Sequence, residues 1–387
     1  METTNKKTKK VIIYKFNILA YSETFIYEQT YNLRQWNGKL IGNNILTNGL
    51  NLEGISFHTI GFKNKLLEKC MRRFNFLLNR PPHGLIKELQ QENADLIHIH
   101  FATEAVLAWP MLKELKLPII VTLHGYDINV YREWWEKGNE GRTMKNYPRN
   151  LLQIAQEDNI QFLAVSEAIK TRAIEYGIPE SKLEVSYIGV DTQKFTPSAK
   201  SISERTQILF VGRLVEKKGC RYLLEAFESI QHDYPLSELV IVGDGPLENS
   251  LKNFAKDKNL RATFLGALSG EKVKALMDEA RVFCLPSITA ESGDAEGLGI
   301  VILEAQACGV PVITSARGGA TEGIQHRVTG FAHEEKDVAG IKYALHALFS
   351  DDELANEFGI AARKFAVKHM DIKKCTERLE EIYSKYA

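Results

Sequence analysis

Gln207-Ile208-Leu209-Phe210-Val211-Gly212-Arg213-Leu214-Val215-Glu216-Lys217-Lys218-Gly219 opens with an apolar run that ends in glycine. An amphipathic stretch, Arg221–Gln231, follows, and then a second apolar run, Leu239–Val242, closed again by a glycine, Gly243. A short strand, a turn and a helix leading to another strand is the repeating unit of a parallel α/β sheet. The alternation continues through expected strands at Thr263–Leu265, Val282–Leu285 and Pro311–Thr314, with a helix at Glu271–Ala280. Open sheets of this kind bind ligands in the loops after the carboxyl ends of their strands, so chemistry is sought there.

Working back toward the start, a first series of the same kind precedes this one. Strands are expected at Val11–Ile18, Lys39–Leu46, Ile55–Thr59, Asp95–His100, Ile119–Leu123, Phe162–Val165 and Leu183–Ser186. Helices are expected at Thr24–Trp36, Thr103–Leu115 and Glu167–Tyr176, the last closed by Gly177 with Pro179 shortly after. Apolar periodicity lapses over Gly189–Ser198, which marks the domain boundary. From Asp351 onward the chain reads as two amphipathic helices. A length of 387 residues accommodates two or three domains.

Composition excludes several classes. With 44% hydrophobic and 25% charged residues the chain is an ordinary globular one. No apolar run approaches the roughly 18 residues of a spanning helix, and Lys15 and Asn17 interrupt the first apolar run, against a secretory signal. Five scattered cysteines without a Cys-x-x-Cys pair fit reduced thiols and a cytoplasmic setting. Net charge is zero, yet residues 1–80 carry 13 Lys and Arg against 5 Glu, a balance of +8. Such a bias suits an anionic surface, a membrane rather than nucleic acid, or else a solvated basic face. The segment from Lys65 to Arg80 combines apolar residues with repeated cations. It fits two readings: an interfacial helix making peripheral contact with anionic lipid, or a surface helix packed on the sheet.

Four motifs stand at expected strand ends. Glu296-Gly297-Leu298-Gly299-Ile300-Val301-Ile302-Leu303-Glu304 places two glutamates eight apart, the first just before a helix and the second two turns inside, on one face. Its glycines leave backbone N–H groups open at a helix N-terminus, which favours an anion. Gly212-Arg213 and Lys218 supply a guanidinium fork and a mobile ammonium for phosphate oxygens. Val242-Gly243-Asp244-Gly245-Pro246-Leu247 is a third turn of this type, with Pro246 expected in the first helical turn. His124, with Gly125 and Asp127 after it, ends an N-terminal strand where an imidazole can donate to a sugar oxygen. His98 and His100 share one strand face and read as cleft or core residues, without a second ligand set for zinc.

Taken in chain order, the Gly-Val-Asp-Thr linker, the Arg–Lys loop, the Gly-Asp-Gly-Pro-Leu turn and the Glu-x7-Glu segment resemble the retaining family 4 glycosyltransferases. Ser22-Glu23-Thr24-Phe25-Ile26, Asp95–Phe101 and His124–Asp127 are similar to enzymes of colanic-acid-like exopolysaccharide assembly. The resemblance implies a GT-B fold: two Rossmann-like domains facing across a cleft, with the C-terminal helix returning to the N-domain. It implies an acceptor-side domain over 1–190, a donor domain over 191–368 and the returning helix over 369–387. The donor is a UDP- or GDP-sugar, the acceptor a saccharide or lipid-linked saccharide, and no metal is required. By position, Arg213 and Lys218 bind the diphosphate, Glu296 the sugar hydroxyls and Glu304 the ribose. Gly297, Leu298 and Gly299 approach sugar and phosphate through their backbone, with Gly212, Gly243 and Gly245 in the neighbouring turns. His124 sits near the transferred sugar and Asp127 near the reacting face or acceptor. The leaving phosphate helps deprotonate the acceptor on the front face.

The sequence departs from many relatives where they carry a Gly-Gly loop after the first strand; here it reads Asn17-Ile18-Leu19-Ala20-Tyr21-Ser22, and Ser22 with nearby backbone stands in its place. Other activities on such a frame are a sugar-nucleotide epimerase, a phosphorylase, or non-catalytic nucleotide-sugar binding. A dinucleotide dehydrogenase lacks its phosphate fingerprint here.

Overall fold

In the computed structural model the described residues are 8–46, 49–60, 83–315 and 317–387. They form two compact units. The first takes the chain up to Val165, Ile169–Ile188 and Ile372–Ala387; the second takes Ser166–Ala168 and Gly189–Asp371. The Lys65–Arg80 segment and Cys70 lie outside the described residues.

The first unit contains seven parallel strands: β1 Lys9–Ile18, β2 Trp36–Ile45, β3 Ser56–Thr59, β4 Leu96–His100, β5 Ile119–Leu123, β6 Ile160–Ala164 and β7 Leu183–Val185, in the order β3-β2-β1-β4-β5-β6-β7. Val11, Ile13, Leu40, Leu96, Ile120 and Leu163 form its core, buried on both faces as parallel strands are. The helix Glu167–Tyr176 ends as its sequence predicts, with Gly177 at φ +105 and its N–H on the carbonyls of Ala173 and Ile174.

The first helix is shorter than its apolar pattern suggests. It stops at Tyr31, and Trp36 opens β2 instead. The cause lies at the far end of the chain. Glu380, on the C-terminal helix Ile372–Tyr386, accepts the backbone N–H groups of Arg34, Gln35 and Trp36 on its Oε1 at 2.8, 2.7 and 2.9 Å. Leu379 and Tyr383 of the same helix join the β-sheet core, and the Tyr383 ring meets Trp36 edge-on at 5.4 Å. Glu380 is 1% exposed, so replacing it with alanine strands three N–H groups away from water. We expect unfolding of the first unit in urea to become easier by about 2 kcal/mol; an unchanged midpoint would remove this carboxylate from the account of how the turn is held.

The second unit contains six parallel strands: β8 Gln207–Val211, β9 Glu238–Val242, β10 Ala262–Phe264, β11 Ala280–Leu285, β12 Val312–Ser315 and β13 Gly330–His333, in the order β10-β9-β8-β11-β12-β13. The amphipathic helix Cys220–Ile230 buries Leu223, Leu224, Phe227 and Ile230. Strand β13 escapes sequence patterning because it is four residues long and starts at a glycine; a Cβ at Gly330 would lie 1.9 Å from the Val312 carbonyl oxygen. The two expected tail helices are Asp352–His369 and Ile372–Tyr386. Cys220, Cys284 and Cys308 are free and buried, and Cys375 is buried. Among the described residues no helix is long and apolar enough to cross a membrane.

Candidate active site

Strand order in the second unit reverses between β8 and β11, whose neighbouring strands run outward in opposite directions. Loops 212–219 and 286–299 follow these two strands, at the switch point where open sheets take ligands. Lys218 closes a 3-10 turn, Glu216–Lys218, in the first loop. Its Nζ donates to Oε2 of Glu296 in the second loop, and Ser287 Oγ donates to the same oxygen at 3.4 Å. Beside this pair Lys217 Nζ meets Asp294 Oδ2 at 2.8 Å. Two adjacent ion pairs therefore bridge the loops. Lys218 and Glu296 retain only 15% and 12% of their side-chain exposure. Burial alone would raise the Glu296 carboxyl, but the Lys218 and Lys217 ammonium groups outweigh it and hold it below its usual range.

The other expected residues take different places around this bridge. Arg213 is exposed, and its guanidinium has no hydrogen-bond or ion-pair partner among the described residues. Gly212 lies under the Lys218 stem, 3.5 Å from its Cδ to a Cβ built at the glycine. Gly243, at φ +127, presses on the Gly212 carbonyl so closely that a Cβ would lie 2.0 Å from the oxygen, and Gly245 abuts the Leu214 carbonyl. The turn after β9 is thus packed on the turn after β8. Pro246 precedes the helix Glu248–Asp257 rather than entering its first turn.

The Glu-x7-Glu segment needs a correction. Its helix is Ile300–Ala307, and Gly299 is left-handed at φ +76. Glu304 is therefore one turn into the helix, not two, and helical spacing does not extend back to Glu296. Gly297 and Leu298 are buried in the approach to the helix. A further element is the Gly318-Gly319 turn after β12, which sequence reading passed over. The Gly319 N–H donates to the Glu296 carbonyl at 3.3 Å, and a Cβ there would lie 1.7 Å from the Gly297 carbonyl oxygen. A glycine pair at a strand's carboxyl end was the available signal.

The first unit has its own cluster at the ends of β1, β4 and β5. His124 Nε2 and His100 Nδ1 are 3.0 Å apart, and the His124 ring rests against Phe25 and Phe101 with centroids at 4.8 and 4.4 Å. Burial, with His98 and Lys15 nearby, drives the His124 imidazole well below its usual pKa, toward the neutral form. His98 is core: Nδ1 meets the Tyr383 hydroxyl and Nε2 the Thr122 hydroxyl, each at 2.6 Å.

Asp127 requires a second correction. Instead of presenting a carboxylate to a reacting face, it is fully buried and accepts three backbone N–H groups, from Ala102 at 2.9 Å and from His124 and Gly125 at 3.0 Å. Burial pushes its carboxyl up to about 6 against these donors. It braces the turn that carries His124.

In place of a Gly-Gly loop, charge secures the turn after β1. Lys15, 3% exposed, lies between Glu23 at 2.7 Å and Glu104 at 2.5 Å. The second oxygens of these acids accept the Ala20 and Phe16 N–H groups, each at 2.8 Å. The lysine that interrupts the apolar run is the residue around which the turn is built.

A cavity of about 410 Å³ in the second unit shares no residue with the site. Its Arg205 and Arg363 donate to backbone carbonyls of Lys200, Ala280, Thr192, Phe195 and Ala307. It is a hollow braced by arginines. Among the described residues no group of three His, Cys, Asp or Glu side chains could hold a metal ion.

Comparison with known proteins adds the family. The model described as glycosyl transferases group 1 matches residues 191–365, and that described as glycosyltransferase family 4 matches residues 61–194. A GDP-mannose-dependent alpha-(1-6)-phosphatidylinositol monomannoside mannosyltransferase of Mycolicibacterium smegmatis is 30% identical over 278 residues, 69% of this chain and 70% of that protein. The chain belongs to the group 1, family 4 glycosyltransferases. The amylovoran biosynthesis glycosyltransferase AmsK of Erwinia amylovora is 32% identical over 276 residues, 70% of this chain and 65% of that relative, just under two thirds of its length. The crystal structure of Anabaena HepE in complex with UDP-glucose matches this glycosyltransferase with a TM-score of 0.78 at 20% identity, covering 97% of this chain and 99% of that one. That likeness is one of fold, and the fold is GT-B.

Proposed function

We propose that this family 4 glycosyltransferase moves a sugar from a nucleotide-diphosphate sugar to a saccharide or lipid-linked saccharide acceptor in exopolysaccharide or cell-surface glycan synthesis, with retention of anomeric configuration. The observation that carries the reading is the Lys218–Glu296 pair at the switch point of the second sheet. An ammonium group and a carboxylate side by side match the two ends of an activated sugar, the diphosphate and the hydroxyls. The donor belongs to residues 191–368 and the acceptor to residues 1–190. Arg213, exposed and unpaired, closes on the phosphate when donor arrives. The backbone of Gly297, Leu298 and Gly299 lies along the sugar and phosphate, and Glu304 takes the ribose. His124, neutral and held at Nε2 by His100, offers its remaining ring nitrogen to a sugar oxygen. Cations and backbone N–H groups stabilise the departing diphosphate without a metal ion. Its oxygen takes the acceptor proton as the new bond forms on the same face.

Both donor classes are represented among the similar proteins: the Mycolicibacterium relative is GDP-mannose-dependent and HepE holds UDP-glucose. A thermal-shift panel of UDP-, GDP- and ADP-sugars separates them. One class should raise the unfolding temperature, by about 2.7 kcal/mol of added stability at a hundredfold excess over Kd. A flat response across the panel, together with no sugar transfer to membrane or oligosaccharide acceptors, removes this reading. The enzyme works in the cytoplasm, and the Lys65–Arg80 segment gives it a peripheral hold on the anionic membrane face. Liposomes rich in anionic lipid should retain the protein in low-salt sedimentation; its recovery in the supernatant would dismiss the membrane contact.

A further inference from the structure

The residue assigned to phosphate and the residue assigned to sugar hydroxyls bind each other. Lys218 Nζ donates to Glu296 Oε2, and both side chains are mostly out of water. The Lys217–Asp294 pair and the Ile288 N–H on the Lys217 carbonyl, each at 2.8 Å, hold the two loops at this spacing. A ligand that draws Lys218 toward a phosphate oxygen weakens the bond to Glu296. The outcome for Glu296 then depends on the rest of the ligand. A sugar still attached to the diphosphate brings hydroxyl donors to the carboxylate. A nucleoside diphosphate alone brings none, and leaves a shielded carboxylate facing anionic oxygens.

We propose that the Lys218–Glu296 pair discriminates the intact donor from the spent nucleoside diphosphate, Glu296 acting as a carboxylate that disfavours retention of the product. The proposal rests on the donor-binding reading above and adds to it a sign. Glu296 favours the nucleotide sugar and opposes the bare nucleotide. A residue that only positioned the loop would weaken both ligands together when altered. Through this pair, product release is driven by the loss of the hydroxyls that had compensated the carboxylate.

The test compares UDP with UDP-glucose, and GDP with GDP-mannose, by calorimetric titration of the full chain and of its Glu296→Gln and Glu296→Ala variants. Glutamine keeps the size of the side chain and removes its charge. In both variants the nucleoside diphosphate of the preferred pair should bind about fivefold more tightly than to the wild type. The matching nucleotide sugar should bind about tenfold more weakly. Two variants guard against one of them failing to fold, and tightened nucleotide binding itself reports a folded site. Unchanged or weakened nucleoside diphosphate binding in both variants overturns the discrimination while leaving the donor reading standing. Failure of the wild type to bind any of the four ligands, with a flat response across the wider nucleotide-sugar panel and no sugar transfer, overturns the donor reading, and this inference with it.

Discussion

Lys218→Ala should lower turnover by about a hundredfold, near 3 kcal/mol of barrier, because a preorganised cation is lost where charge develops on the leaving diphosphate. The structure adds a second consequence. Removing Lys218 leaves the Glu296 carboxylate with Ser287 at 3.4 Å as its remaining side-chain donor among the described residues, and with only 12% exposure. A shielded carboxylate without its cation is itself costly, so the variant should also bind donor weakly. Arg213→Ala should reduce turnover to a similar degree with a different signature. Its guanidinium is exposed and has no partner among the described residues, so its removal orphans no group there and stability should not move. Steady-state kinetics on a verified donor and acceptor, with urea unfolding alongside, reads both effects. Normal turnover in both variants would refute the leaving-group assignment.

The first unit should lose stability as pH falls below about 6.5, because its buried histidines are held neutral. His98 is buried between the Tyr383 and Thr122 hydroxyls with the His100 ring at 4.3 Å, and burial lowers its pKa from 6.5 to about 3. The folded form therefore releases a proton that the unfolded chain holds. Stability from this group is complete above about pH 6.5 and is lost as pH falls toward 3, at about 1.4 kcal/mol per pH unit. Over the whole window that amounts to on the order of 4 kcal/mol. His100 and His124, also driven toward neutral, act in the same direction, with Lys15 nearby opposing their protonation. Asp127, its carboxyl raised to about 6, takes up a proton in the fold over the same range and offsets part of this loss, so urea midpoints should decline from pH 7 to pH 5 by less than the histidines alone would give. His98→Gln, which can keep both hydrogen bonds but cannot gain a proton, should flatten the decline by about one proton's worth. Equal slopes in the two proteins would mean that His98 is not held neutral in the fold.

These histidines show how sequence and structure divide the information. The spacing of His98 and His100 places both on one strand face, which periodicity supplies directly. Their partners do not follow from spacing: Thr122 is on the next strand and Tyr383 lies near the end of the chain. Lys15 is a sharper case. In an apolar run it reads as an interruption, yet it is 3% exposed because Glu23 and Glu104 arrive from two other segments to neutralise it. Asp127, placed near the reacting face or acceptor by the family resemblance, is held by three N–H groups that converge on it from two loops. An acid's role depends on what meets its oxygens, and that is a property of the assembled fold.

The sequence by itself determined the repeating strand–helix units, nearly all strand positions, the two tail helices and the loops at strand ends where chemistry belongs. Those follow from periodicity and glycine placement, which act over a few residues. Only the tertiary structure decided the sheet order, which sets Lys218 opposite Glu296, and the end of the first helix, which Glu380 fixes from 346 residues away. It also decided that Glu304 stands one turn, not two, into its helix, because a left-handed Gly299 interrupts the path. Local patterns specify local geometry, whereas ion pairs and caps between distant segments form only once the sheets have brought their loops together.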